Sequence, residues 1–225
     1  VMADMPFMSY QADDAEGVRN AGRFLTEGLA DIVKVEADES FAPLVEKMTR
    51  AGVPVCAHVG SRPQLSALTG GYASAGRTAE QAEAIVRDAV ALERAGARML
   101  LIEAVPAEVT TMVLSATRAP LIGIGAGPDC HGQVIVLQDI AGLTDAPPRF
   151  AEPIADLGAG YQSVARAWVE RVASRSLGGK GYRMKPGESE RLTAGNTLDG
   201  TTAGLAPKIL SIAAEPAGRL DGRGR

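Results

Sequence analysis

The sequence predicts an α/β protein whose parallel strands are covered by helices, and three observations predict it. Apolar runs of strand length alternate with longer segments whose apolar residues recur every three or four positions, and the loops between them are short. The runs are continuous rather than alternating in hydropathy, which is how strands buried on both faces read. Four of them, Val1-Met2-Ala3-Asp4, Ile32-Val33-Lys34-Val35-Glu36, Val53-Pro54-Val55-Cys56-Ala57-His58 and Met99-Leu100-Leu101-Ile102-Glu103, end on an ionisable residue. Alternation alone fits either a closed (β/α)8 barrel or an open doubly wound sheet. In barrels the reacting groups sit at the carboxyl ends of the strands, so charged strand ends favour that form and bring Asp4, Glu36, His58 and Glu103 to one rim.

The elements follow in order. After the first strand, Ala15, Val18, Ala21, Gly22, Leu25 and Leu29 mark one buried face of a helix within residues 11–29. A strand is expected at 32–36. Ser40 can cap a helix carrying Leu44, Val45 and Met48 that stops near Gly52, and the next strand begins at once with Val53. The segment 60–78 is rich in turn-permitting residues, Gly60, Pro63, Gly70, Gly71 and Gly76, and is read as a long functional loop. The pattern resumes with a helix at 79–95, a strand at 99–103, a helix at 106–117, and strands at 121–124 and 133–137. A helix containing Val164, Ala167, Trp168 and Val172 is expected at 154–174. Six strands result, where a closed barrel of this class needs eight, so two strands are expected to be missing ahead of Val1. Residues 1–191 are read as a partial barrel domain with its carboxyl-terminal helix. Residues 192–225, mostly Gly, Ala, Thr and Pro, are read as a disordered tail.

Composition narrows the function. With 225 residues, 46% of them hydrophobic, the chain can bury a substantial core. The 23 basic residues are scattered among 27 acidic ones for a net charge of −4, which offers no field for nucleic acid. No apolar run is long enough to cross a bilayer. The two cysteines differ too much in setting to suggest a disulfide framework, and a cytoplasmic protein is expected.

The strand ends carry the chemistry. Asp4 and Glu36 offer hard carboxylate oxygens suited to Mg2+, with capping or ion pairing as the structural alternative. Lys34 shares a strand face with Glu36, and a lysine inside an apolar strand calls for a carboxylate or an anionic ligand. His58 opens the long loop, where an imidazole can polarise a carbonyl or serve as a satisfied core group. Glu103 ends the most apolar strand, and burial there is expected to raise its pKa into the range of a general base. Gly123-Ile124-Gly125-Ala126-Gly127 permits close approach of a ligand but lacks the full dinucleotide fingerprint.

Read as strings, Ala3-Asp4-Met5-Pro6-Phe7, Val33-Lys34-Val35-Glu36, Val53-Pro54-Val55-Cys56-Ala57-His58-Val59-Gly60, Gly70-Gly71-Tyr72, Glu103-Ala104-Val105-Pro106 and Ile122-Gly123-Ile124-Gly125-Ala126-Gly127 resemble the ketopantoate hydroxymethyltransferase family in order and spacing. The resemblance implies a (β/α)8 barrel, a homo-oligomer such as a decamer, and transfer of a one-carbon unit from 5,10-methylenetetrahydrofolate to 3-methyl-2-oxobutanoate in pantothenate synthesis. It implies that Asp4 is a metal ligand that also meets the substrate, that Glu36 supports Mg2+ through water, and that Lys34 and His58 bind the oxoacid. Glu103 would remove the C3 proton to give a Mg2+-stabilised enolate. The family's Asp-Ser-Leu-Gly motif, from its first two strands, has no counterpart here. Smaller departures lie at Gly60-Ser61-Arg62-Pro63-Gln64, at Tyr72-Ala73-Ser74-Ala75-Gly76-Arg77 and at His131. Two other readings stay open: a Mg2+-dependent enolate-forming lyase or mutase of the phosphoenolpyruvate mutase and isocitrate lyase type, and a truncated, non-catalytic paralogue.

Overall fold

A computed structural model describes residues 1–195. Six strands, β1 (Met2–Asp4), β2 (Ile32–Glu36), β3 (Val55–Gly60), β4 (Met99–Glu103), β5 (Leu121–Ile124) and β6 (Gly132–Gln133), form one sheet in sequential order. Every adjacent pair is parallel. Sequential order with a helix after each of the first four strands, β5 passing to β6 without one, is the winding of a (β/α)8 barrel, and six of its strands are present. A doubly wound sheet would reverse strand order, so the open alternative is excluded.

Helices α1 (Asp14–Thr26), α2 (Ala42–Arg50), α3 (Ser66–Thr69), α4 (Ala79–Arg94) and α5 (Ala107–Ala116) follow the strands, then α6 (Leu137–Ile140) and α7 (Leu157–Ala173). Local chemistry sets their starts. The Asp13 side chain accepts the Glu16 N–H ahead of α1, and Thr78 accepts the Gln81 N–H ahead of α4. Ser40 is not the cap it was expected to be. The Asp38 carboxylate, two residues earlier, accepts the Ser40 N–H and starts a 3-10 turn at Glu39–Phe41 that leads into α2. An ionised oxygen there outcompetes a hydroxyl as acceptor.

The two faces of the sheet build two apolar clusters. Val33, Val35, Val55, Ala57, Val59, Leu100, Ile102 and Leu121 point outward and pack with Leu44, Val45 and Met48 of α2, Ile85, Ala89 and Leu92 of α4, and Val109 and Val113 of α5. The inward set, Cys56, Leu101 and Ile124 with Met2, Ile32, Met99 and Ile135, is smaller. Side chains alternate along a strand, so this division leaves Asp4, Lys34, Glu36, His58 and Glu103 on the inner face.

Two segments differ from expectation. Residues 60–78 are not wholly irregular, because Pro63–Leu65 forms a 3-10 turn that runs into α3. The strand expected at 133–137 stops at Gln133, since β5 is four residues long and turns away at Gly125, with φ +60. Val134 makes one last bond, its N–H to the Gly123 carbonyl, and α6 follows.

The chain divides into two compact units, Val1–Val169 and Glu170–Arg225. Within the second, α8 (Glu188–Gly195) is held by an Arg191–Glu188 ion pair. The tail expected at 192–225 lies, from residue 196 on, outside the described residues. Among the described residues no helix is long and apolar enough to cross a membrane.

Candidate active site

A cavity of about 590 Å3 opens at the carboxyl ends of the strands and is lined by residues from the first five of them and from the segment after β6. Asp4 comes from β1, Lys34 and Glu36 from β2, His58 from β3, Leu101 and Glu103 from β4, Ile124 from β5 and Val134 to Val136 from the segment after β6. All five ionisable groups predicted from sequence therefore share one cavity. The register explains why: Asp4 pairs with Lys34, Glu36 with His58 and Glu103 with Ile124, which steps the strand ends around the rim.

The polar wall is organised by three contacts. Lys34 Nζ lies 2.6 Å from Asp4 Oδ1, with the lysine side chain 14% exposed and the aspartate 57%. Its burial is thus offset, yet two N–H donors remain for another anion. Glu36 is 7% exposed, and its Oε2 accepts the Gln64 N–H at 3.0 Å. Burial holds its carboxyl above the usual range, and the Gln64 amide, His58 and Lys34 only partly offset that. His58 is 1% exposed, and neither ring nitrogen has an aligned hydrogen-bond partner. Its Nε2 lies 3.2 Å from Glu103 Oε2, close enough for charge attraction but off the direction a hydrogen bond requires. A buried imidazole without partners is costly unless a ligand supplies them.

Glu103 corrects the sequence reading. Burial does push its carboxyl up, but His58 and a 2.6 Å hydrogen bond donated by Tyr72 Oη to Oε1, with Lys34 nearby, outweigh it and hold the pKa below the usual carboxylate range. Glu103 is a carboxylate at neutral pH, ready to accept a proton, though weaker as a base than burial alone would make it.

Several site residues were not singled out from sequence. Tyr72 stands in the Gly70-Gly71-Tyr72 string but gave no sign of reaching Glu103, 31 positions away. Gln64 joins three walls: besides its N–H to Glu36, its Nε2 donates to the Met5 carbonyl at 2.9 Å, and its Oε1 accepts from Tyr10 at 2.9 Å and Gln11 at 2.7 Å. Its place beside Pro63 in the Pro-Gln string was the available signal. Cys56, on the inner face, is no nucleophile, because burial pushes its thiol up to about 12.

The donor set bears on a metal. Among the described residues no group of three or more His, Cys, Asp or Glu side chains is arranged around a point. Mg2+ does not need one, since it is commonly held by one or two carboxylates with water and substrate oxygens. Asp4 and Glu36 are two hard carboxylates on one wall, and Lys34 engages only one Asp4 oxygen, so the residues fit in kind.

Residues 1–180 match the family model described as ketopantoate hydroxymethyltransferase. A protein of Alkalilimnicola ehrlichii named 3-methyl-2-oxobutanoate hydroxymethyltransferase is 47% identical over 189 residues, 80% of this chain and 68% of that protein. Proteins of the same name from Hyperthermus butylicus and Halorhodospira halophila are each 42% identical, covering 85% and 80% of this chain and 67% and 65% of their own lengths. The chain thus spans about two thirds of the length of these curated relatives.

Proposed function

The chain belongs to the ketopantoate hydroxymethyltransferase family, and from that premise we propose that it transfers a hydroxymethyl group from 5,10-methylenetetrahydrofolate to 3-methyl-2-oxobutanoate, giving ketopantoate for pantothenate biosynthesis. One observation carries the reading: an ionised Glu103, a His58 with no aligned hydrogen-bond partner and the Lys34 ammonium line one cavity whose other wall is apolar.

Each residue then has a task. Lys34, with donors beyond its bond to Asp4, pairs with the oxoacid carboxylate. His58 donates from a ring nitrogen to a substrate oxygen and so satisfies a buried group that otherwise lacks a partner. Leu101, Ile124, Val134 and Val136 face the isopropyl group. Mg2+, held by Asp4 and by Glu36 through water, would supply the positive charge that makes the C3 proton acidic. Glu103 takes that proton, the C3–H electron pair becomes the enolate double bond, and C3 attacks the folate-borne methylene; the two methylene–nitrogen bonds break with their electron pairs returning to the folate nitrogens, which take up the C3 proton and one from water, and that water supplies the hydroxyl oxygen. A base of low pKa suffices when enolate charge is stabilised.

The reading also includes a cytoplasmic location and a homo-oligomer. The exposed apolar stripe Tyr161, Val164 and Trp168 on α7, each more than half exposed, supports assembly.

The test is proton NMR of 3-methyl-2-oxobutanoate in D2O with Mg2+ and the full chain. Loss of the C3 proton signal that needs Mg2+ and disappears in Glu103→Gln is expected. A folded chain that leaves the signal unchanged would overturn the assignment of Glu103.

A further inference from the structure

Tyr72 meets Glu103 from outside the substrate cavity. Its hydroxyl donates to Oε1 at 2.6 Å, within the range of a charge-assisted bond, yet Tyr72 does not line the cavity that Glu103 lines. It lines instead a neighbouring cleft of about 330 Å3 built from the loop after β3 and α4, together with Ser61, Arg62 and Asp88. The two carboxylate oxygens are therefore unlike. Oε1 is tied from behind by Tyr72, and Oε2 faces His58.

The backbone is built for this approach. The residue after Glu103, Ala104, holds φ +48, a left-handed conformation that costs a non-glycine residue energy, and its carbonyl accepts the Ala75 N–H of the loop carrying Tyr72. Gly60 sits opposite Glu103 in the register with φ +91, and a Cβ there would lie 2.6 Å from the Glu103 carbonyl oxygen. The loop and the strand end can close on each other only with glycine at that position.

We infer that Tyr72 is the positioning residue of Glu103: by holding Oε1 it aims Oε2 into the cavity as the oxygen that receives the substrate proton. The bond survives the transfer, because once Oε2 carries the proton Oε1 is the carbonyl-type oxygen and still accepts from Tyr72. It is stronger to the carboxylate than to the acid, so it also favours the state that can act as base. The other charged or titratable groups facing this pair are His58 and Lys34 beside Glu103, and Asp139 beside Tyr72.

This inference rests on the proposed role of Glu103 as base, but the contact can be tested apart from activity. In the full chain carrying 13C-carboxyl glutamate, with the Glu103 signal identified by Glu103→Gln, Tyr72→Phe is expected to move the Glu103 titration to higher pH and leave that of Glu36 in place. In the unsubstituted chain the 13Cζ signal of Tyr72 should inflect at the Glu103 titration, and Glu103→Gln should abolish that inflection; this readout needs no Tyr72 variant to fold. An unmoved Glu103 titration, or a Tyr72 signal that ignores it, overturns the inference. Where oxoacid exchange occurs, Tyr72→Phe should slow it by about 3- to 10-fold, the loss of one partly exposed charge-assisted bond, with KM unchanged. A KM rise with rate intact would instead show a loop that only shapes the cavity. Coupled titrations without exchange would keep the pairing and sink the enzyme reading.

Discussion

Replacing Tyr10 with Phe tests how the candidate site is held to the core. Tyr10 is 2% exposed and lies edge-on to Phe41, with ring centroids 5.9 Å apart, a contact that phenylalanine keeps. The hydroxyl accepts the Glu36 N–H at 3.0 Å and divides its own proton between Gln64 Oε1 at 2.9 Å and the Glu36 carbonyl at 3.2 Å. Without it the Gln64 oxygen still accepts from Gln11 Nε2, so that side loses little. The buried Glu36 N–H has no comparable substitute, and a stranded donor costs about 1–3 kcal/mol. A loss of about 2 kcal/mol follows, equivalent to roughly 4–8 °C in Tm for a chain of this size. Urea and thermal unfolding followed by circular dichroism measure it, with Tyr161→Phe, 67% exposed, as a control expected to stay within about 0.5 kcal/mol. Tyr10→Phe indistinguishable from that control would refute the claim that this hydroxyl carries the Glu36 backbone.

Three further outcomes follow from the structure. Burial raises the Glu36 pKa, so the native state binds that proton more tightly than the unfolded chain, and stability falls as pH rises from about 4.3 through the folded value. Glu36→Gln should therefore be more stable than the natural chain at neutral pH, with the gain vanishing at acid pH; a gain that is the same at both would mean burial is not the cause. Glu103 has the opposite sign, since its lowered pKa gives stability above about pH 4.3 that is lost as pH falls through the folded value. At Gly125, with φ +60, a Cβ would lie 2.3 Å from Phe150 Cδ1, so Gly125→Ala should cost roughly 2–5 kcal/mol from backbone strain and ring displacement together. Unchanged thermal unfolding would show that Phe150 does not rest on that glycine.

The sequence alone determined which ionisable side chains stand at or near the carboxyl ends of the first four strands. Asp4, Lys34, Glu36, His58 and Glu103 could be read because a strand's alternation assigns each residue to a face, and because parallel strands joined by helices must bring like ends together. The family was legible for the same reason, most of its motifs being the strand ends themselves. Tertiary structure decided what those ends touch. Whether Glu103 would be a strong or a weak base turned on Tyr72, which reaches it from a loop whose path no periodicity describes. The bonds of Gln64 and Tyr10 were invisible because they join segments more than twenty-five positions apart. The last strand shortened because its hydrogen-bonding neighbour β5 ends at Ile124, a length set by Gly125 rather than by the apolar run at 134–137. Periodicity is a property of each segment by itself, whereas pKa, hydrogen bonding and strand length depend on partners that only the folded chain supplies.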